Sequence, residues 1–228
     1  MMANCITKHI PNTLTCCNLL SGCMAVTAAF HCDAWHTLLW VVCGALFDFC
    51  DGFSARLLGA YSPLGKELDS LADLITFGLS PAMLCRSVLM TYPGAGSFVP
   101  YLAFVLAAFA ALRLAKFNID ERQTSSFIGL AVPANALFWC GLLQEGSWTF
   151  IKTSPWIIVA LAFVFAYLMV SEIPMFSLKF KNLKWADNKV RFIFLIASIA
   201  ILAVLGPKGL AAVMLWYILL SVLTKGQF

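Results

Sequence analysis

The stretch Phe47-Asp48-Phe49-Cys50-Asp51-Gly52-Phe53-Ser54-Ala55-Arg56, eight further residues, and then Gly65-Lys66-Glu67-Leu68-Asp69-Ser70-Leu71-Ala72-Asp73 decides how the chain is read. Four aspartates stand in or beside segments apolar enough to lie in a membrane, where an ionisable side chain is costly and marks a functional site by default. On a helix, the three-residue step from Asp48 to Asp51 puts both on one face. Gly65, Asp69 and Asp73 step by four and form one stripe along a second helix. Gly59, Ser62 and Pro63 between them are turn residues, so a short connection returns both pairs to the same side of the membrane. Four carboxylates converging there would repel one another. A divalent cation relieves this, and an all-oxygen ligand set suits Mg²⁺ or Mn²⁺. Gly52 and Gly65 let a ligand approach the backbone closely, Ala55 keeps the next turn shallow, and Arg56 offers a planar charged fork suited to phosphate.

Composition bounds the rest. Of 228 residues 61% are hydrophobic and 11% charged, with a mean hydropathy of +0.88, whereas soluble domains carry about 25% charged residues. This is an integral membrane protein of the all-α class. The formal charge of +4, without basic-aromatic interleaving, argues against a nucleic-acid partner and suits an anionic leaflet. The nine cysteines form no Cys-x-x-Cys pair, so neither a zinc site nor structural disulfides are expected. Leu20-Ser21-Gly22-Cys23 reads like a lipoprotein processing box, but Pro11, Asn12 and Asn18 break the apolar core that should precede it, and no cleaved leader is expected.

Residues 1–15 read as a polar lead-in at the interface. Apolar runs follow at about 16–31, 36–53, 68–91, 97–117, 128–146, 153–175, 190–206 and 207–224, which predicts about eight transmembrane helices, the shorter runs borrowing flanking residues. Only Gly206, Pro207, Lys208 and Gly209 separate the last two. With both termini cytoplasmic, the inner side receives Lys8, Arg56, Lys66, Arg113, Lys116, Arg122, Lys179, Lys181, Lys184, Lys189, Arg191 and Lys225, and the outer side Arg86, Lys152 and Lys208. That bias is positive-inside and turns the aspartates toward the cytoplasm.

The pattern Asp-x-x-Asp-Gly-x-x-Ala-Arg, eight residues, Gly-x-x-x-Asp-x-x-x-Asp resembles the complete signature of the CDP-alcohol phosphotransferase family, with every fixed position present. Carboxylates alone would equally suit a divalent-cation transporter; Gly52, Ala55, Arg56 and Gly65 in register favour the transferase. Leu74 to Ala82, Leu112 to Asn118 and Phe127 to Ala136 resemble the branch of the family whose acceptor is serine. The resemblance covers about residues 8–140. It implies a single membrane domain, 1–228, with a family core over about 1–175 and a basic cytoplasmic loop plus two further helices over 176–228. It implies CDP-diacylglycerol and L-serine as substrates, membrane lipids as surroundings, compatibility with a homodimer, and a location in the cell membrane. It assigns Asp48, Asp51, Asp69 and Asp73 to the metal and Asp73 also to general-base catalysis. Asp51, Gly52, Ala55, Arg56 and Gly65 would surround the CMP moiety. Arg113, Lys116 and Asn118, at the cytoplasmic end of the fourth run, are candidates for the acceptor, although Arg113 and Lys116 could instead snorkel to the interface. Pro133 reads as a kink, and Asn135 and Asn18 as helix-helix or ligand contacts. Glycerol 3-phosphate and inositol phosphate are the rival acceptors.

Overall fold

A computed structural model describes residues 9–93, 96–120, 127–146, 153–176 and 185–224. Lys8, Arg122, Lys152, Lys179, Lys181, Lys184 and Lys225, used in the charge count, lie outside the described residues. Helix α1 spans Ile10–Phe30, α2 Ala34–Leu58 and α3 Pro63–Asp73. A six-residue π-helical turn, Leu74–Leu79, runs straight on into α4, Ser80–Met90. A 3₁₀ segment, Val99–Phe104, leads into α5, Val105–Ile119. Then come α6 (Val132–Leu142), α7 (Pro155–Val170), α8 (Trp185–Leu205) and α9 (Gly209–Leu223). Among the described residues five helical stretches are long and apolar enough to cross a membrane, and the fifth, Asn188–Leu223, joins most of α8 to α9.

Local chemistry sets the boundaries. Asp33 caps α2 by accepting from the His36 N–H at 3.0 Å, the usual way a helix start satisfies an orphan donor. Gly59, at φ +60°, ends α2 in the left-handed conformation that glycine adopts without penalty. Ser62 then caps α3, accepting from Gly65 N–H at 3.0 Å, with Pro63 in the first turn, where its missing N–H is harmless. Pro81 cannot donate the backbone bond a regular helix needs, and the widened π-turn lies immediately before it.

The described helices form eight columns when α3, the π-turn and α4 are taken as one, in register with the eight apolar runs. The last two columns are a hairpin: the rings of Phe194 and Tyr217, 23 positions apart, are 5.8 Å apart, where a straight helix would separate them by about 34 Å. Three expectations are revised. The polar lead-in of 1–15 is absorbed into α1 from Ile10 onward, with Pro11 and Thr15 buried. The run 128–146 yields a helix of only 11 residues. Its first residues stay extended because Gly129, at φ +75°, sits where a Cβ would collide with the Met169 carbonyl. Its N–H instead donates to Ile173 O at 2.9 Å, beside a two-residue antiparallel pairing of Phe127–Ile128 with Pro174–Met175. Non-helical backbone survives at membrane depth only when paired inside the protein in this way. Pro133, expected as a kink, stands in the first turn of α6.

The buried apolar core draws on α1, α2, α4 to α7 and α9, and within it Phe138 of α6 stacks on Phe165 of α7 at 3.8 Å. Asn135 spends its carbonyl oxygen on its own helix, accepting from Trp139 Nε1 at 3.1 Å. The eight described cysteines are free.

The two ends of the bundle are chemically distinct. At one, Lys208 Nζ donates to Gly146 O, Gln144 to Ala34 O and Ser87 to Phe30 O. At the other, Lys66 Nζ donates to Asn118 O at 2.7 Å and Lys116 Nζ to Val170 O at 3.4 Å. Arg86 thus falls with Lys208, and Arg56 and Arg113 with Lys66 and Lys116, the grouping expected from the charges.

Candidate active site

The helical spacing delivers what it predicts. Asp48 and Asp51 share a face of α2, Asp69 and Asp73 a stripe of α3, and the turn at 59–62 folds the two against each other. One carboxylate oxygen from each of Asp48, Asp51 and Asp69 falls within 4.8 Å of the other two. Around an octahedral Mg²⁺ with oxygens about 2.1 Å from the ion, adjacent oxygens are about 3 Å apart and opposite ones about 4.2 Å, so the triplet fits an ion by drawing in from its 4.8 Å limit. Two observations support that fit. Asp69 Oδ1 is buried with no hydrogen-bond donor, and among the described residues no lysine or arginine forms an ion pair with any of the four aspartates. Buried carboxylates are otherwise paired.

Asp73 stands apart from the triplet. Its Oδ1 accepts from Asn18 Nδ2 at 3.0 Å. Asp51 likewise has a partner on α1, accepting from Thr15 Oγ1 at 2.6 Å through Oδ2. Both α1 residues are buried. Thr15 was missed in the sequence, hidden in what read as a polar lead-in; its signal is the four-residue step from Pro11 to Thr15, with Asn18 a turn further on.

Beside the triplet opens a cavity of about 600 Å³, lined by Pro11, Asn12 and Thr15 of α1, Asp51, Gly52 and Ala55 of α2, the 60–63 turn, and Gly65, Lys66 and Asp69 of α3. A Cβ on Gly52 would meet no atom within 4 Å, so this glycine faces open space. At Gly65 a Cβ would come within 3.1 Å of both Asn12 Oδ1 and Ser62 Oγ. Of the five residues expected around CMP, Asp51, Gly52, Ala55 and Gly65 line this cavity. Arg56 does not: it is exposed and its Nε donates to Gly52 O at 3.0 Å.

The three acceptor candidates part company. Arg113 is buried, its guanidinium 4.9 Å over the Phe117 ring and within electrostatic range of Asp73. It is not a snorkelling residue. Lys116 is exposed, yet shares with Arg113 the lining of a second, small cavity of about 30 Å³, together with Asp120, Ser171 and Glu172. Asn118 turns the other way: its Nδ2 donates to Ser70 Oγ at 2.8 Å and its carbonyl accepts from Lys66. It ties α5 to α3 and lines neither cavity, because it sits near the C-terminus of α5, where the packing of α3 captures it.

Residues 8–178 match the family described as CDP-alcohol phosphatidyltransferase. The chain is 39% identical over 127 residues to the CDP-diacylglycerol–serine O-phosphatidyltransferase of Bacillus subtilis, covering 55% of this chain and 70% of that one. It is 31% identical to the protein of the same name from Mycobacterium tuberculosis, over 94% of this chain and 73% of the other. A third such protein, from Methanocaldococcus jannaschii, is 31% identical over 86% and 84% of the two chains. Divalent-cation dependence is general in the matched family. With this match over most of its length, the chain belongs to the CDP-alcohol phosphatidyltransferase family: it is a membrane-embedded, all-α transferase.

Proposed function

We propose that this chain transfers the phosphatidyl group of CDP-diacylglycerol to the hydroxyl of L-serine, giving phosphatidylserine and CMP, at the cytoplasmic face of the cell membrane. The observation that carries the reading is the meeting of carboxylates from α2 and α3 at the edge of the 600 Å³ cavity. Serine enters through the names of the relatives and through the chemistry of the second cavity. There Arg113 and Lys116 are cations for a carboxylate, and Asp120 and Glu172 are anions for an ammonium. A phosphate-bearing acceptor such as glycerol 3-phosphate or inositol phosphate would meet two carboxylates there.

Asp48, Asp51, Asp69 and Asp73 would hold Mg²⁺ or Mn²⁺, which when bound neutralises the donor diphosphate and the charge that develops as CMP departs. Asp51, Gly52, Ala55 and Gly65 form the wall against which the CMP moiety lies, with Gly52 leaving room for close approach. Arg56 would reach that moiety only by releasing Gly52 O. Arg113 holds the serine carboxylate beside Asp73. The serine oxygen attacks the phosphatidyl phosphorus, the bond from phosphorus to the CMP oxygen breaks, and the serine hydroxyl proton passes to Asp73 as attack proceeds. Asn118 serves the site indirectly, by holding α5 on α3.

The test is CMP release by the purified protein from CDP-diacylglycerol, with serine, ethanolamine, glycerol 3-phosphate and inositol phosphate in parallel. Serine should be fastest. Ethanolamine lacks the carboxylate and leaves Arg113 unpaired, a loss of a few kcal/mol. Arg113→Ala should raise KM for serine more than KM for CDP-diacylglycerol. Faster turnover of glycerol 3-phosphate would overturn serine as the acceptor.

A further inference from the structure

Asn18 and Thr76 lie 58 positions apart and are both fully buried. Thr76 Oγ1 lies 2.8 Å from Asn18 Oδ1 and 3.1 Å from the Asn18 carbonyl oxygen. The carbonyl can only accept, and an amide oxygen likewise, so the Thr76 hydroxyl is the donor toward Asn18. Asp73, whose carboxylate oxygen only accepts, fixes which way the Asn18 amide faces. Its oxygen is held by Thr76 and its NH₂ is turned to Asp73 Oδ1. A flipped amide would set an oxygen against a carboxylate oxygen and leave Thr76 facing an NH₂ group.

The neighbouring helices are cut to fit this arrangement. A Cβ on Gly22 of α1 or on Gly44 of α2 would overlap Thr76, and the one on Gly44 would also lie 2.9 Å from Asn18 Oδ1. Thr76 itself sits in the π-turn that follows Asp73. Three successive helical columns therefore converge on one hydroxyl–amide–carboxylate chain ending at the site.

We propose that Thr76 and Asn18 are positioning residues, which hold the Asp73 carboxylate with Oδ1 engaged and Oδ2 presented to the acceptor hydroxyl. The inference rests on the reading of Asp73 as the base. It makes a demand that packing alone does not. The hydroxyl of Thr76 matters for turnover, whereas its methyl, packed toward Gly44, matters for stability.

The test separates the two on the full-length protein in detergent. Thr76→Val keeps the shape and removes the hydroxyl; kcat should fall about tenfold, the scale of one buried amide oxygen left without its donor, while KM for CDP-diacylglycerol and for serine stays within twofold. Thr76→Ser keeps the hydroxyl and removes the methyl; kcat should stay within twofold and Tm should fall. In an Asn18→Ala background, Thr76→Val should cost nothing further, since the amide it orients is gone. If Asn18→Ala does not fold, the Val and Ser variants still decide. Unchanged kcat in Thr76→Val, or equal kcat losses in Val and Ser, overturns the inference. Asp73→Asn distinguishes the failures: an active Asp73→Asn overturns the reading of the base together with the inference, whereas an inactive one beside an active Thr76→Val overturns the inference alone.

Discussion

Replacing Asp69 by asparagine removes one negative charge from three carboxylates whose oxygens lie within 4.8 Å of one another, and it hardly changes shape. Two effects of opposite sign follow. In the metal-free protein, two unit charges at that distance repel by about 3.5 kcal/mol at an effective dielectric of 20. Neutralising Asp69 relieves part of that for each partner, so without metal the variant should melt no lower than the parent. With metal, the site loses the carboxylate whose Oδ1 is buried without a donor. Losing a residue that merely orients a ligand costs about 10- to 100-fold. Losing the ligand should cost at least about 10³-fold in kcat/KM, or about 4 kcal/mol of transition-state stabilisation. The assay pairs CMP release with the rise in Tm on adding Mn²⁺, which a site preferring the folded state must produce. The parent should show both and Asp69→Asn neither. A variant that keeps its Mn²⁺-dependent rise in Tm, or more than a tenth of the parental kcat/KM, would refute the placement of a cation between α2 and α3.

Gly52→Ala should fold normally, since its Cβ meets nothing within 4 Å, yet raise KM for CDP-diacylglycerol about tenfold by narrowing the cavity; steady-state kinetics with Tm as the control decides. Asp33→Ala should cost about 1 kcal/mol of stability through the lost cap of α2, measured by thermal unfolding. The N–H of His36, ahead of the other causes, holds the Asp33 carboxyl below the usual carboxylate range. Its contribution is therefore complete above about pH 4 and is lost as pH falls through the lowered value. Cysteines placed at Tyr61 and Glu145 in a cysteine-free background, both exposed and at opposite ends, should be labelled from opposite sides of the membrane in intact cells, Tyr61 from the cytoplasm. Labelling of both from one side would contradict the bundle.

The sequence by itself determined the local part of the site. Steps of three and four residues on a helix place side chains on one face whatever the helix packs against, so the pairs Asp48 with Asp51 and Asp69 with Asp73, the turn between them and the apolar columns were all legible. The tertiary structure alone decided how those faces meet the rest. Thr15 reaches Asp51 across 36 positions, Asn18 reaches Asp73 across 55 and Thr76 reaches Asn18 across 58. Asn118 is drawn to Ser70 and away from the small cavity that Arg113 lines, while Arg113 is buried where a lysine nearby is not. Periodicity carries no term for such contacts. Each depends on which helices lie side by side and how closely, and that distance is set by the absence of a side chain at Gly22 and Gly44, on helices far from Thr76 in the chain.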